Sequence, residues 1–160
     1  MNEVIETPLI SVLLSVYNDE ENIKKSIDSI LTQSFKDIEL LVIDDGSTDK
    51  TYEIISNIKD SRLKIFRNKD NIGLTKCLNI LIKKSKGQIL ARQDSDDISL
   101  QSRLQVQYNS LSKSKLDACT TRAFIKNTKQ SIPRFSHLLP ISFVIKYKNP
   151  FIHGTLMIKK

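Results

Sequence analysis

The 160-residue sequence contains no tryptophan, only two cysteines, and no apolar run near the roughly 20 residues that span a bilayer. Cys77 and Cys119 lie far apart among apolar or small residues, which favours buried free thiols over a disulfide or a metal site. The first six residues lack the basic and then apolar layout of a secretory signal. These absences predict a cytoplasmic chain.

Acidic residues are nearly absent from the last part of the chain. Residues 101–160 hold 11 basic residues and one acidic residue, whereas residues 1–100 hold 14 basic and 17 acidic residues. A basic surface attracts nucleic acid, an anionic membrane or a phosphorylated substrate. Because no nucleic-acid-binding motif or aromatic interleaving accompanies the charge, we expect no nucleic-acid partner. With 39% hydrophobic and 27% charged residues, the chain has the composition of one folded domain.

Apolar runs and segments of helical period alternate along the first 100 residues. Short branched runs predict buried strands, and apolar residues at a spacing of three and four predict amphipathic helices. The predicted order is strand, helix, strand, helix, strand, helix and strand, at 9–16, 23–31, 38–43, 51–58, 63–66, 74–82 and 88–91. This alternation indicates an α/β fold, a mostly parallel sheet covered on both faces by helices.

Two details of the helices are further expectations. The acidic run 19–21 is predicted to lie at the positive end of the first helix, and Gly87 to cap the end of the third. A fourth helix is expected through Leu104, Tyr108 and Leu111, followed by short strands and loops over 118–140.

Three polar clusters follow predicted strands, namely Tyr17–Glu20, Asp44–Ser47 and Asp94–Asp97. Each cluster alone is well explained as a turn or a helix cap, since Asp, Asn, Gly and Ser are common there. All three, however, should meet at the carboxyl edge of the sheet, where α/β folds bind ligands. The sequence therefore predicts one polar site built from three loops.

The cluster Asp94-Ser95-Asp96-Asp97 places three carboxylates within four residues. Their repulsion is relieved if a divalent cation or basic groups lie among them. Hard oxygen ligands suit Mg²⁺ or Mn²⁺, which such sites hold together with substrate phosphates. A metal-bound diphosphate is therefore an expected ligand.

The combined motifs resemble family 2 glycosyltransferases of the GT-A fold, whose mostly parallel sheet is Rossmann-like. The resemblance covers roughly residues 8–104 and is weaker at 149–153. Four groups of residues carry it: Ile10-Ser11-Val12 with Tyr17-Asn18, residues 43–49, Asn71-Ile72-Gly73-Leu74 with Leu78-Asn79 and Gly87, and residues 91–97. It implies transfer of a sugar, with inversion, from a nucleoside diphosphate sugar to a saccharide or lipid-linked acceptor. Surface polysaccharide synthesis at the inner face of the membrane is the implied setting, with peripheral membrane association.

The resemblance also implies roles for individual residues. Ser15, Tyr17 and Glu20 would lie along the nucleotide, with the tyrosine ring near the base. Asp45 would accept a hydrogen bond from the base. Arg92 would lie beside the donor, where it could pair with the diphosphate or hold the acidic cluster in place.

The same resemblance implies distinct tasks for the acidic cluster. Asp94 and Asp96 match the DxD motif, so Asp94 would contact the ribose or sugar and Asp96 the metal. Asp97 would be a substitute metal ligand.

The catalytic base of the family, a carboxylate, has no matching position. After Asp97 the only acid is Asp117, which lies too early in the chain. His153 is a weak alternative base, because a histidine in this position more often has a structural or substrate-contact role, and His137 has less support. We therefore expect an incomplete acceptor part over 105–160 in a truncated single transferase domain, 1–160.

Two other hypotheses remain beside the transferase. One is a fragment that binds the nucleotide sugar without completing transfer, supported by the missing carboxylate. The other is a receiver-like signalling domain, which is disfavoured because its paired acids belong after the first strand, where this chain has Tyr17-Asn18.

Overall fold

A computed structural model describes residues 7–125, 128, 130–133, 146 and 151–160. The strands are β1 to β8, at Ile10–Val16, Ile38–Asp44, Leu63–Arg67, Ile89–Asp94, Ala118–Cys119, Ala123–Phe124, Ser131–Ile132 and Met157–Lys159. The helices are α1 to α4, at Ile23–Leu31, Thr51–Ser56, Leu74–Lys84 and Arg103–Lys113. Among the described residues, a 3-10 turn covers His153–Thr155.

Six strands form one sheet in the order β3-β2-β1-β4-β8-β5. Strands β1 to β4 are parallel, whereas β8 runs antiparallel to both β4 and β5. Strands β6 and β7 pair separately. The predicted α/β fold with a mostly parallel sheet is confirmed, and it places the ends of β1, β2 and β4 at one edge.

The core explains why the central strands are almost wholly apolar. Alternate residues of β1, such as Val12 and Leu14, pack with α1 and α4 on one face of the sheet. Leu13 points to the other face, where Cys77 and Leu81 of α3 cover it. Because helices cover both faces, β1 and β2 lack the polar alternation of a half-exposed strand. No helix within the described ranges is long and apolar enough to cross a bilayer.

Helix α1 begins at Ile23 as predicted, and the acidic run 19–21 directly precedes its N-cap Asn22 at the positive end of the helix, outside the first turn. Other boundary predictions are wrong. Helix α3 ends at Lys84 and is followed by extended Ser85, so Gly87 does not cap it. Gly87 instead packs against β1, since a Cβ there would lie 2.6 Å from the Ser11 nitrogen. Helix α2 ends at Ser56, two residues early, and β8 was not predicted.

Candidate functional site

The three polar clusters meet at the carboxyl edge of the sheet, as predicted. Ser15 and Asp94 are register partners at the ends of β1 and β4. The Asn18 N–H donates to Ser47 Oγ at 2.9 Å, and Asn18 Oδ1 accepts from the Thr48 N–H at 2.8 Å. These bonds join the loops after β1 and β2, so the clusters form one continuous surface.

Asp45 is buried at the end of β2 and organises the loop that precedes α3. Its carboxylate accepts hydrogen bonds from Asn68 Nδ2 at 2.7 Å, from the Ile72 N–H at 3.0 Å and from the Gly73 N–H at 2.8 Å. Burial alone would raise the pKa of Asp45, but these bonds outweigh it and hold the pKa below its usual value. Asp45 is therefore an ionised acceptor in a fixed position.

Tyr17 and Glu20 differ in their exposure and in their hydrogen-bond contacts. The Tyr17 side chain is 47% exposed just beyond β1, at the edge of the site. Glu20 Oε2 accepts from the Lys50 N–H at 2.8 Å, and the Glu20 N–H donates to Asp49 Oδ2 at 3.2 Å. The Glu20 carboxylate thus binds the backbone before α2, whereas the Tyr17 ring faces solvent at this edge.

The acidic loop, residues 94–97, follows β4. Arg92 Nε lies 2.9 Å from Asp94 Oδ1, so Arg92 holds the acidic cluster, one of its two expected tasks. Asp96 and Asp97 are exposed residues. Partial burial of its carboxyl group, together with the negative charges of Asp94 and Asp96, raises the pKa of Asp97. The mutual repulsion expected from the sequence is therefore present.

The 3-10 turn brings His153 beside the acidic loop. The Arg92 N–H donates to the Leu156 carbonyl at 2.8 Å, which fixes the turn against β4. A Cβ on Gly154 would lie 2.7 Å from Asp97 Oδ2 and 2.8 Å from Asp94 Oδ2, so only glycine allows this approach. His153 itself is exposed. His137 and the tail residues 149–150 lie outside the described residues.

Asp117 lies far from this loop. Its side chain is 94% exposed and its Oδ1 is 3.7 Å from Lys159 Nζ. Since Lys159 pairs with Ile89 at the start of β4, Asp117 lies at the edge opposite Asp94. This position supports the inference that Asp117 is not the base.

Two polar residues that the sequence analysis missed support the acidic loop from the protein interior. Gln93 Nε2 donates to the Asp97 carbonyl at 2.8 Å and to the Asp94 carbonyl at 3.2 Å. Arg103 Nη1 in turn donates to Gln93 Oε1 at 2.7 Å. Both are polar residues at buried positions of an otherwise apolar strand and helix face, a signal that the sequence did contain.

The donor set of the acidic loop fits a hard divalent cation. Asp94 and Asp97 direct oxygens toward the same space beside Gly154, and Asp96 is exposed at the loop surface. Among the described residues, no group of three or more His, Cys, Asp or Glu side chains is arranged to hold a metal ion without further ligands. The carboxylates of the acidic loop therefore match a site in which one or two carboxylates bind the ion and phosphate oxygens of a ligand complete its coordination shell.

The sequence matches the family described as Glycosyl transferase family 2 over residues 11–158. The chain belongs to this family. Among curated family 2 relatives, the O-antigen biosynthesis glycosyltransferase WbnJ of Escherichia coli is 36% identical over 166 residues, covering 95% of this chain and 62% of the relative. WfgD of the same species, a UDP-Glc:alpha-D-GlcNAc-diphosphoundecaprenol beta-1,3-glucosyltransferase, is 32% identical over 127 residues, covering 79% of this chain and 50% of the relative.

The chain spans about half the length of the curated relatives it matches. Its fold is similar to that of the mannosyltransferase PcManGT from Pyrobaculum calidifontis, solved in complex with GDP-Man and Mn²⁺. The TM-score is 0.77 at 20% identity, over 97% of this chain and 45% of that one. This likeness confirms the GT-A fold.

Proposed function

We propose that this chain binds a nucleoside diphosphate sugar and belongs to a glycosyltransferase of surface polysaccharide synthesis. The observation that carries the proposal is the meeting of Asp45, Tyr17 and the acidic loop at one sheet edge in a family 2 fold. Residues 8–104 are its donor-binding part and residues 105–160 part of the acceptor side. The relatives WbnJ and WfgD are named for polysaccharide and lipid-linked chemistry, which supports the setting.

The donor would lie across the carboxyl edge. Tyr17 stacks near the base, Ser15 and Glu20 line the nucleotide, and Asp45 accepts a hydrogen bond from the base. Asp45 suits this role because hydrogen bonds from Asn68, Ile72 and Gly73 fix its carboxylate at the carboxyl edge of the sheet. Arg92 holds Asp94, which contacts the ribose or sugar.

Asp96, with Asp97 as a substitute, would hold Mn²⁺ or Mg²⁺. Such an ion, when bound, neutralises the charge that develops on a nucleoside diphosphate leaving group. The Mn²⁺ in the PcManGT complex supports a divalent ion in this fold. The residues of this chain orient the diphosphate so that the anomeric carbon faces the acceptor.

Transfer with inversion requires an acceptor hydroxyl opposite the leaving group. The hydroxyl oxygen bonds to the anomeric carbon, the bond from that carbon to the phosphate oxygen breaks, and a base takes the hydroxyl proton. A saccharide or lipid-linked acceptor fits this step. The WfgD name, with its diphosphoundecaprenol acceptor, supports a lipid-linked substrate. We propose the inner face of a membrane as the place of transfer.

A second function, nucleotide-sugar binding without transfer, is favoured by one observation. The acid that follows the acidic loop in the sequence, Asp117, lies at the opposite edge of the sheet. His153, beside the acidic loop, is the weaker alternative base.

A transfer assay separates the two functions. The chain is incubated with UDP-glucose, UDP-N-acetylglucosamine or GDP-mannose, with Mn²⁺ and a sugar-diphosphate lipid acceptor, and products are resolved by mass spectrometry. A lengthened acceptor supports the transferase. Donor binding without product supports the binding module, and neither binding nor product from folded chain refutes both.

A further inference from the structure

Arg103 is a buried cation that the proposed chemistry does not use. It is the first residue of α4 and only 7% exposed. Within the described ranges no carboxylate forms an ion pair with it. Burial lowers the pKa of Arg103 to about 10, so the side chain still carries its charge at neutral pH. A buried charge without a direct ion pair is costly, and its hydrogen bonds, together with the nearby negative charges of Asp97 and Asp94, must offset that cost.

The guanidinium group donates four hydrogen bonds, and each of its three nitrogens has at least one partner. Nη2 donates to the Arg92 carbonyl at 2.6 Å, and Nη1 donates to Gln93 Oε1 at 2.7 Å and to Ser99 Oγ at 2.8 Å. Nε donates to Gln107 Oε1 at 3.0 Å. Three of these four acceptors lie on β4 or on the segment just after the acidic loop. The side chain therefore links α4 to both ends of that loop.

Gln93 transmits this constraint to the acidic loop itself. Its side-chain carbonyl oxygen accepts from Arg103 Nη1 and from Ser99 Oγ, each at 2.7 Å, and these two bonds fix the orientation of its amide group. That amide donates to the Asp97 and Asp94 carbonyls, and Ser26 Oγ also donates to the Asp94 carbonyl, at 2.9 Å. The loop backbone is held at both ends from the protein interior, which leaves the Asp96 and Asp97 carboxylates for a ligand.

We propose that Arg103 is a positioning residue of the donor site, which holds the acidic loop through Gln93 in the conformation that binds a divalent ion and a diphosphate. The inference rests on the proposed donor-binding function. Outer-shell partners of metal ligands commonly change metal affinity by about 10-fold to 100-fold when they are mutated. A purely structural role would instead lower stability without a selective effect on metal binding.

The test separates binding of the metal from binding of the nucleotide. Mn²⁺ binding in the presence of UDP or GDP is measured from the free Mn²⁺ signal in electron paramagnetic resonance, and nucleotide binding without metal is measured by calorimetry. The variants are Arg103→Met, Arg103→Lys and Gln93→Met, each checked for folding by circular dichroism. Arg62→Met is the matched control, because Arg62 is also hydrogen-bonded by its guanidinium but lies before β3, at the opposite edge of the sheet.

We expect Arg103→Met and Gln93→Met to weaken Mn²⁺ binding by about tenfold or more. Metal-free nucleotide affinity should stay within about threefold, because base recognition lies on β1 and β2. Arg103→Lys should recover part of the lost Mn²⁺ affinity, since lysine keeps the positive charge but not the planar set of guanidinium N–H donors. Arg62→Met should bind Mn²⁺ as the unaltered chain does.

Two results overturn the inference: a folded Arg103→Met or Gln93→Met chain with unaltered Mn²⁺ affinity, or an equal loss in Arg62→Met. If Arg103→Met does not fold, Gln93→Met decides, because it leaves Arg103 its contacts with Arg92 and Ser99. If neither folds, Gln93→Asn decides, since a side chain one methylene shorter draws the amide away from Arg103 and from the Asp97 carbonyl, and unaltered Mn²⁺ affinity in that folded chain refutes the inference. Failure of the unaltered chain to bind any nucleotide with Mn²⁺ refutes the donor-binding function instead.

Discussion

At the scale of single residues, the site depends on carboxylates in two different states. Asp45 is buried, accepts three hydrogen bonds from the protein and has a lowered pKa. Asp97 lies among other acids and has a raised pKa. The first arrangement stabilises the charged form without a ligand, whereas the second leaves charge that a cation would neutralise. Base recognition and metal binding should therefore respond to different substitutions.

Asp45→Asn should weaken nucleotide binding whether or not metal is present. An amide group cannot accept from both the Ile72 and Gly73 N–H groups in the present geometry, so the loop before α3 loses a partner. We expect about 1–3 kcal/mol less stability and about tenfold weaker UDP or GDP binding. Urea unfolding and calorimetry measure the two effects.

The matched control is Asp60→Asn, another carboxylate that accepts from a backbone N–H group, that of Arg62, but lies before β3 at the opposite edge of the sheet. It should change nucleotide affinity by less than about threefold. Equal affinities in a folded Asp45→Asn chain and the unaltered chain would show that Asp45 does not contact the nucleotide.

At the scale of elements, the edge of the sheet opposite the site has its own anchor. Buried Glu39 on β2 accepts from Ser11 Oγ, Lys64 Nζ and the Lys86 N–H, each at 2.6 Å. Burial alone would raise the pKa of Glu39, but these contacts outweigh it and lower the pKa below its usual value. The connection from α3 to β4 is thereby attached to β1 and β2, which sets where β4 and its acidic loop emerge.

Glu39→Gln should make stability less dependent on pH. Because the folded-state pKa is lowered, the stabilisation is complete above the unfolded pKa of about 4.3 and is lost as pH falls through the folded value. At pH 7 the variant should be about 1–3 kcal/mol less stable, and the difference should shrink in acid. Urea unfolding of both chains between neutral and acidic pH measures this difference in the free energy of unfolding.

Glu53→Gln, on the exposed surface of α2, is the control and should match the unaltered chain at every pH. A Glu39→Gln chain that keeps the full pH dependence would rule out this anchor.

The elements also show what the sequence could and could not predict. Strands β1, β2 and β4 and helices α1 and α3 were predicted because covered strands are continuously apolar and amphipathic helices repeat every three or four residues. Gly87 was misread because a glycine after a basic helical turn has the same local pattern whether it caps a helix or packs against a strand. Strand β8 was missed because three residues pairing with distant strands carry no local period.

The candidate site was also predictable only in part. The polar clusters could be placed at one edge because parallel strands align their carboxyl ends. The contact between Gly154 and the acidic loop could not be foreseen, since 57 residues separate Asp97 from Gly154 and only the fold joins them.

At the scale of the whole molecule, charge is divided along the chain, with 11 basic residues and one acidic residue in 101–160. If this part lies near a membrane, the chain should sediment with vesicles that contain about 30% anionic lipid, and about 0.5 M salt should release it. Reversing Lys113 and Lys115 to Glu should weaken binding more than the same change at Lys25 and Lys36, all of which are exposed. Equal binding to neutral vesicles, or equal loss in both variants, would contradict a charge-directed membrane role.

The central claim is that the acidic loop and Asp45 form a metal-assisted nucleotide site. Calorimetric titration of the chain and of Asp96→Ala with UDP and GDP, with and without Mn²⁺, tests it most directly. We predict that Mn²⁺ strengthens binding by about tenfold or more in the unaltered chain and by much less in Asp96→Ala, where only the substitute ligand Asp97 remains, while metal-free binding persists in both. An unaltered, folded chain that binds neither nucleotide, or an Asp96→Ala chain with the full Mn²⁺ effect, would contradict it.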